Sequence, residues 1–215
     1  MSQTSTPSPS SPVSKMVVDL STGNPLLHSA DDAIRLRRDY HILGNYVGPL
    51  PSHPLQPFER GLPLLLSPME HRLLRDKELI EESSESIMPT ALTSPLTDSD
   101  SFFRLAWDLG WYLGSGLKYG GDFLCYGDDP YLCHAAYVAT IMTSGSCDGR
   151  SLISMGRVAN AAKKRALLYF PPEEEEEKEE EERRDRDGLI VQLEWVPILP
   201  SFKRDGLSPS PFTTR

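Results

Sequence analysis

Cysteine is scarce in this chain. Cys125, Cys133 and Cys147 are too few and too irregularly spaced for a disulfide framework or a four-ligand zinc site. An odd count without an export signal points to a reducing compartment, cytosol or nucleus, with all three as small buried or half-buried hydrophobes. Long apolar runs are missing too. None approaches the roughly 20 residues that a membrane-spanning helix needs, so no membrane insertion is expected. The first 15 residues are mostly Ser, Thr and Pro without an apolar stretch, which fits a disordered tail rather than a secretory signal. Also absent are a Gly-rich phosphate loop ahead of a helix, a G-x-S-x-G elbow, an H-E-x-x-H helix and paired Cys motifs. Those absences set aside P-loop nucleotide chemistry, serine-hydrolase chemistry and zinc-protease chemistry, and no cofactor is implied.

What is present fits a globular protein. Of 215 residues, 39% are hydrophobic and 25% charged, enough for one ordinary domain or two small ones. The formal charge of -9 argues at first against a nucleic-acid partner. One segment accounts for most of it: residues 173–187 hold eleven acids against four bases, leaving -2 on the other 200 residues. The body is close to neutral, and local basic patches remain able to bind phosphate.

The pattern of residues predicts an α/β (α+β) chain in two modules. In residues 16–82, MVVDL reads as a strand and Ser29 as the cap of a helix over ADDAIRLRRDYHI, with Asp31 and Asp32 in its first turn. Ile34 and Tyr40 are expected to face inward. A second helix is signalled at SPMEHRLLRDKEL by Ser67, Pro68 and Glu70. Residues 83–100, rich in Ser, Thr, Pro and Asp, read as a linker. From Ser101 a helix is expected to end at Gly110, followed by strands at 111–113, 123–126 and 135–143. A helix over 151–163 then shows Leu152, Met155, Ala159 and Ala162 on one face. Two last strands, 166–170 and 189–196, would form a hairpin whose loop, 171–188, is the acidic segment. A tail follows from 199. The Gly-rich stretch 114–121 falls in a turn between strands, and Asp128 and Asp129 beside Pro130 read as turn formers rather than metal ligands.

A metal-free acid–base site on a polar substrate suits this inventory better than the chemistries that are missing. Tyr126 ends a strand, His134 follows a short turn, and Lys164 lies just beyond a helix that carries Arg157. Spacing alone does not bring them together: each also fits a structural role, with Lys163, Lys164 and Arg165 as a solvated helix end that complements the dipole.

The stretch LKYGGDFLCYGDDPYLCHAAYVAT, with SLISMGRVANAAKKRALLYF and VQLEW after it, resembles the tRNA-splicing endonuclease family. There a strand bearing Gly-Asp-Phe-Leu ends on a tyrosine, and a histidine opens the next strand. AIRLRRDYHILGNYVGPLP and RGLPLLLSPMEHRLL resemble the N-terminal part of the subunit that cuts the 3′ splice site. The resemblance covers residues 16–82 and 101–198 and implies a nuclease-like α/β domain at 101–198. Carried over, the catalytic triad falls on Tyr126 as general base, His134 as general acid and Lys164 as stabiliser of charge. Arg157 and Trp195 fall where a flipped base is clamped.

The resemblance implies cleavage of intron-containing pre-tRNA without a metal, because RNA supplies its own 2′-OH nucleophile. The products are a 2′,3′-cyclic phosphate and a 5′-OH. Histidine titrates near neutrality and suits the acid role, whereas a tyrosine base needs a cation to lower a reference pKa near 10; Lys164 is the expected source. The implied partners are a second catalytic subunit and two structural subunits. The implied location is the nucleus, or the cytosolic face of the mitochondrial outer membrane. A non-catalytic subunit of the same complex and an unrelated protein-interaction module with an acidic loop are the alternatives. The acidic segment is expected to point away from RNA, since it would repel phosphate.

Overall fold

In a computed structural model the chain is described at residues 14–50, 52, 60–83, 92, 94–144, 146–172 and 188–193. Apart from Ser14 and Lys15, the expected tails lie outside the described residues, as do most of the acidic loop and Trp195.

The first elements are short. β1 (Met16–Val18) pairs in parallel with β5 (Ile80–Glu82), and β2 (Leu26–Leu27), β4 (Arg60–Leu65) and β3 (Asn45–Pro49) form an antiparallel sheet in the order β2-β4-β3. Helix α1 (Ala30–Tyr40) starts where Ser29 Oγ accepts from the Asp32 N–H, with Asp31 and Asp32 at its positive end and Arg37 and Arg38 at its negative end. Its buried residues are Ala33 and Leu36, with Tyr40 packed against the core. Ile34 faces out at 57% exposure, against expectation, because the stripe through Ala33, Leu36 and Tyr40 sets the inward face and Ile34 lies about 100° from it. Helix α2 (Pro68–Asp76) opens with the expected capping box between Ser67 and Glu70.

The C-terminal elements build one five-stranded sheet in the order β10-β9-β8-β7-β6: Leu189–Leu193, Arg165–Phe170, Tyr137–Ile141, Phe123–Tyr126 and Tyr112–Ser115. Only β8 and β9 run parallel, and helix α4 (Gly149–Ala161) joins them as a crossover. Helix α3 (Asp98–Asp108) begins before Ser101, inside the stretch read as linker, because Thr97 and Asp100 form a second capping box. It covers one sheet face, with Phe102 and Phe103 5.4 and 6.1 Å from the Phe123 ring and Phe102 5.3 Å from Tyr169. Helix α4 lies over the other face, where Met155 and Val158 border Val138 and Ala166.

A single hydrophobic cluster runs through both halves, from Met16, Leu36 and Leu73 to Phe102, Cys125 and Tyr169. Polar contacts reinforce the junction. Arg72 of α2 donates to Asp100 of α3 at 3.2 Å, with side-chain exposures of 8% and 3%. Arg104 pairs with Asp76, and the Trp107 indole donates to the Tyr40 carbonyl. No helix of the described residues is long and apolar enough to cross a membrane.

Candidate active site

The period of a strand sorts β7 between the two faces. Phe123 and Cys125 enter the main core, while Leu124 packs on the other face with Ala135 and Val138, and Tyr126 and Tyr119 pack against that cluster. Tyr126 is therefore half-buried on the face of the sheet that α4 covers. A side chain at Gly114, on the neighbouring strand β6, would begin 3.3 Å from the Tyr126 ring, so the missing Cβ leaves the phenol its space.

The loop from Gly127 to Cys133 carries the chain from Tyr126 to His134. The Asp129 carbonyl accepts from the Leu132 and Cys133 N–H groups at 2.7 and 3.0 Å, and its carboxylate accepts from the Tyr131 N–H at 2.8 Å. That carboxylate also receives a two-pronged grip from Arg37 of α1, with Nε and Nη2 at 2.6 and 2.7 Å. The Arg37 guanidinium holds the Asp129 carboxyl below the usual carboxylate range. Beyond the loop, the Ala136 N–H donates to the Cys125 carbonyl at 2.9 Å, which returns the chain to the sheet. His134 lies exposed between these two fixed points.

Lys164 reaches the same place from the other side. Helix α4 ends with Lys163 at φ 55°, a left-handed turn that more often carries Gly or Asn. The Lys164 N–H donates to the Ala159 carbonyl at 2.8 Å, and β9 begins at once. The reversal points the Lys164 ammonium at the Ala135 carbonyl, 3.3 Å away, and over the Tyr119 ring, 5.3 Å from its centre. Ala135 follows His134 directly, and Tyr119 lies beside Tyr126. Tyr126, the His134 backbone and Lys164 thus converge on one face.

Burial pushes the Tyr126 phenol above its ordinary value, and Tyr119, Cys133 and Cys125 add to the rise. The Lys164 ammonium is turned to the Ala135 carbonyl and the Tyr119 ring and does not offset that. Cys125 is fully buried and its thiol is pushed up to about 12 by burial alone, as fits a core residue. All three cysteines are free, with Cys133 and Cys147 half-buried.

Arg157 is exposed on α4. A small polar recess of about 110 Å³, bounded by Gly156, Asn160, Lys164, Arg165 and Leu193, separates that helix from the end of β10. Trp195, two residues on, is outside the described residues. Among the described residues, no three His, Cys, Asp or Glu side chains gather as a metal-holding group. A larger cavity of about 570 Å³, lined by Leu43, Leu66, Phe103, Leu113 and Phe123 among others, lies at the junction of the two halves and includes none of the triad. Sequence reasoning missed Arg37, Asp129 and Tyr119 as parts of this neighbourhood. Arg37 sits 92 residues from Asp129, and nothing local to RLRRDY marks its contact.

Comparison with known proteins finds likeness in both halves of the chain. Residues 16–83 match the family model described as TSEN34-like, N-terminal domain, and residues 102–179 match that of the tRNA intron endonuclease, catalytic C-terminal domain. A tRNA-splicing endonuclease from Saccharolobus islandicus is 31% identical over 161 residues, which cover 70% of this chain and 87% of the archaeal protein. The tRNA-splicing endonuclease subunit Sen34 of Mus musculus and that of Homo sapiens are each 35% identical over 65 residues, 30% of this chain. The matched stretch spans 21% of the length of those two relatives.

Proposed function

This chain belongs to the tRNA-splicing endonuclease family, and from that premise we propose that it is a catalytic subunit cutting intron-containing pre-tRNA at the 3′ splice site. The observation that carries the reading is the Lys164 ammonium on the Ala135 carbonyl, beside His134 and on the face that bears Tyr126. A cation, an exposed imidazole and a phenol on one face suit phosphoryl transfer in which the RNA 2′-OH attacks its own phosphorus. No metal is called for: the nucleophile is intramolecular, and the protein need only align it, move two protons and stabilise charge. The products are a 2′,3′-cyclic phosphate and a 5′-OH.

In this reading His134 protonates the leaving 5′-oxygen and Lys164 faces the non-bridging oxygens of the transition state, leaving the Ala135 carbonyl as substrate enters. Tyr126 takes the 2′-OH proton. Its raised pKa leaves little phenolate before RNA binds, so release of the phenol proton to water is expected to follow from contact with Lys164 once that ammonium moves. Arg157 and Trp195 hold an unpaired base by stacking, a contact worth about 1–3 kcal/mol. Assignment to the 3′ site rests on the match of residues 16–83 to the TSEN34-like N-terminal domain. The reading brings with it a complex of further subunits, a second catalytic one and two structural ones, and a nuclear location.

The test is cleavage of an intron-containing pre-tRNA by the reconstituted complex with His134→Ala in this chain alone. The 3′ cut is expected to slow by about 10²–10⁴-fold, the usual contribution of a positioned acid, while the other cut and assembly persist. Two unchanged cuts would overturn the reading.

A further inference from the structure

We propose that Arg37, in the helix α1 of the N-terminal half, is a positioning residue for cleavage: by gripping Asp129 it sets the 127–133 loop and through it the place of His134. The inference rests on the catalytic reading given above.

The contact is specific in form. Both oxygens of Asp129 are engaged by Arg37, at 2.6 and 2.7 Å, with the two side chains each 20% exposed. The same guanidinium stacks on the Tyr131 ring, 4.1 Å from its centre. Arg37 therefore holds the loop at two residues, one through charge and one through a ring face. A planar fork can do both at once, and an ammonium cannot. Within the loop Asp129 is the hub: its carboxylate and carbonyl together accept from the N–H groups of Tyr131, Leu132 and Cys133. The next residue is His134.

Little else in the loop does this work. Tyr131 and Leu132 are themselves exposed, so apolar burial does not define its shape. On the far side of His134 the chain is anchored in the sheet by Ala136, whose N–H donates to the Cys125 carbonyl and whose carbonyl accepts from the Arg165 N–H. Arg37 and Asp129 supply the corresponding anchor on the near side. The imidazole thus hangs between one anchor from the catalytic sheet and one that reaches across from α1. A displacement of about 1 Å in a reacting group is enough to cost on the order of 100-fold in rate, so a lost anchor is felt in chemistry before it is felt in folding.

The test uses the reconstituted complex and intron-containing pre-tRNA, with Arg37→Ala and Asp129→Asn made separately in this chain and melting temperature followed in each. Both variants are expected to slow this chain's cut at saturating RNA by about 10- to 100-fold. The half-saturating RNA concentration, the second cut and assembly are expected to stay unchanged. Arg37→Lys, which keeps charge and loses the fork, should recover little, and the exchange of Arg37→Asp with Asp129→Arg should recover part of the rate. A normal rate in Arg37→Ala beside a silent His134→Ala overturns the positioning role alone. So does a loss confined to RNA affinity, which would make Arg37 an RNA contact, or one shared by both cuts, which would mark an assembly defect. Normal cutting by His134→Ala overturns the catalytic reading and this inference together.

Discussion

At Tyr126 the surroundings act against the ionisation that a base at neutral pH requires. The phenol is half-buried beside Tyr119, and the nearest helix-end cation is turned to a backbone carbonyl. His71 shows the same force in a place without chemistry. It is fully buried on α2, its Nε2 3.1 Å from the Glu82 carboxylate, and burial lowers its pKa from 6.5 despite that neighbour. Below that value the unfolded chain takes up a proton that the folded chain resists. Stability from this group is therefore full above 6.5 and lost as pH falls beneath it. Unfolding free energy measured from about pH 8 to pH 5 is expected to decline in the wild type and to decline less steeply in His71→Leu. Equal slopes would show that His71 does not set the trend.

Among the elements, the turn between β6 and β7 shows why glycine recurs there. A side chain at Gly116 would begin 2.7 Å from the Gly121 carbonyl oxygen and from the Phe123 N–H, both backbone and unable to yield. The turn closes tightly because those atoms can approach, and this closure aligns β7 and with it Tyr126. Gly116→Ala is expected to lower stability by about 1–3 kcal/mol, read as a fall in melting temperature, and an unchanged melting curve would rule out the close approach. The turn was legible from sequence, although β6 takes in Gly114 and Ser115 of the stretch read as turn, and its reason is this contact. Boundaries moved for a comparable reason. Helix α3 starts inside the predicted linker, because a Ser, Thr and Asp composition that suits a linker also suits a capping box.

Across the whole molecule, the halves read from sequence as two modules share one core and a buried ion pair. Asp100 caps α3 and accepts from Arg72 of α2, so one carboxylate serves both local and long-range structure. Asp100→Ala removes that carboxylate from a buried guanidinium and is expected to destabilise the chain by about 3–5 kcal/mol in chemical denaturation. A loss under about 1 kcal/mol would mean that water reaches the pair and the junction is held by packing alone. The Arg37–Asp129 contact crosses the same junction, so the N-terminal half stands in physical contact with the loop that leads to His134.

Local chemistry was enough for the sequence alone to determine both Ser-capped helices, the strand ending on Tyr126, the crossover helix before Lys164 and the closing hairpin. Each depends on a cap, an alternation or a periodicity that neighbouring residues impose. The order of motifs likewise marked Tyr126, His134 and Lys164 as candidates. Only the tertiary structure decided that Ile34 faces outward, that burial raises the Tyr126 pKa, that Lys164 meets the Ala135 carbonyl and that Arg37 grips Asp129. These depend on where distant segments pack, on how much water remains around a charge and on which partner lies within 3 to 4 Å. None of those quantities is written in the spacing of residues along the chain.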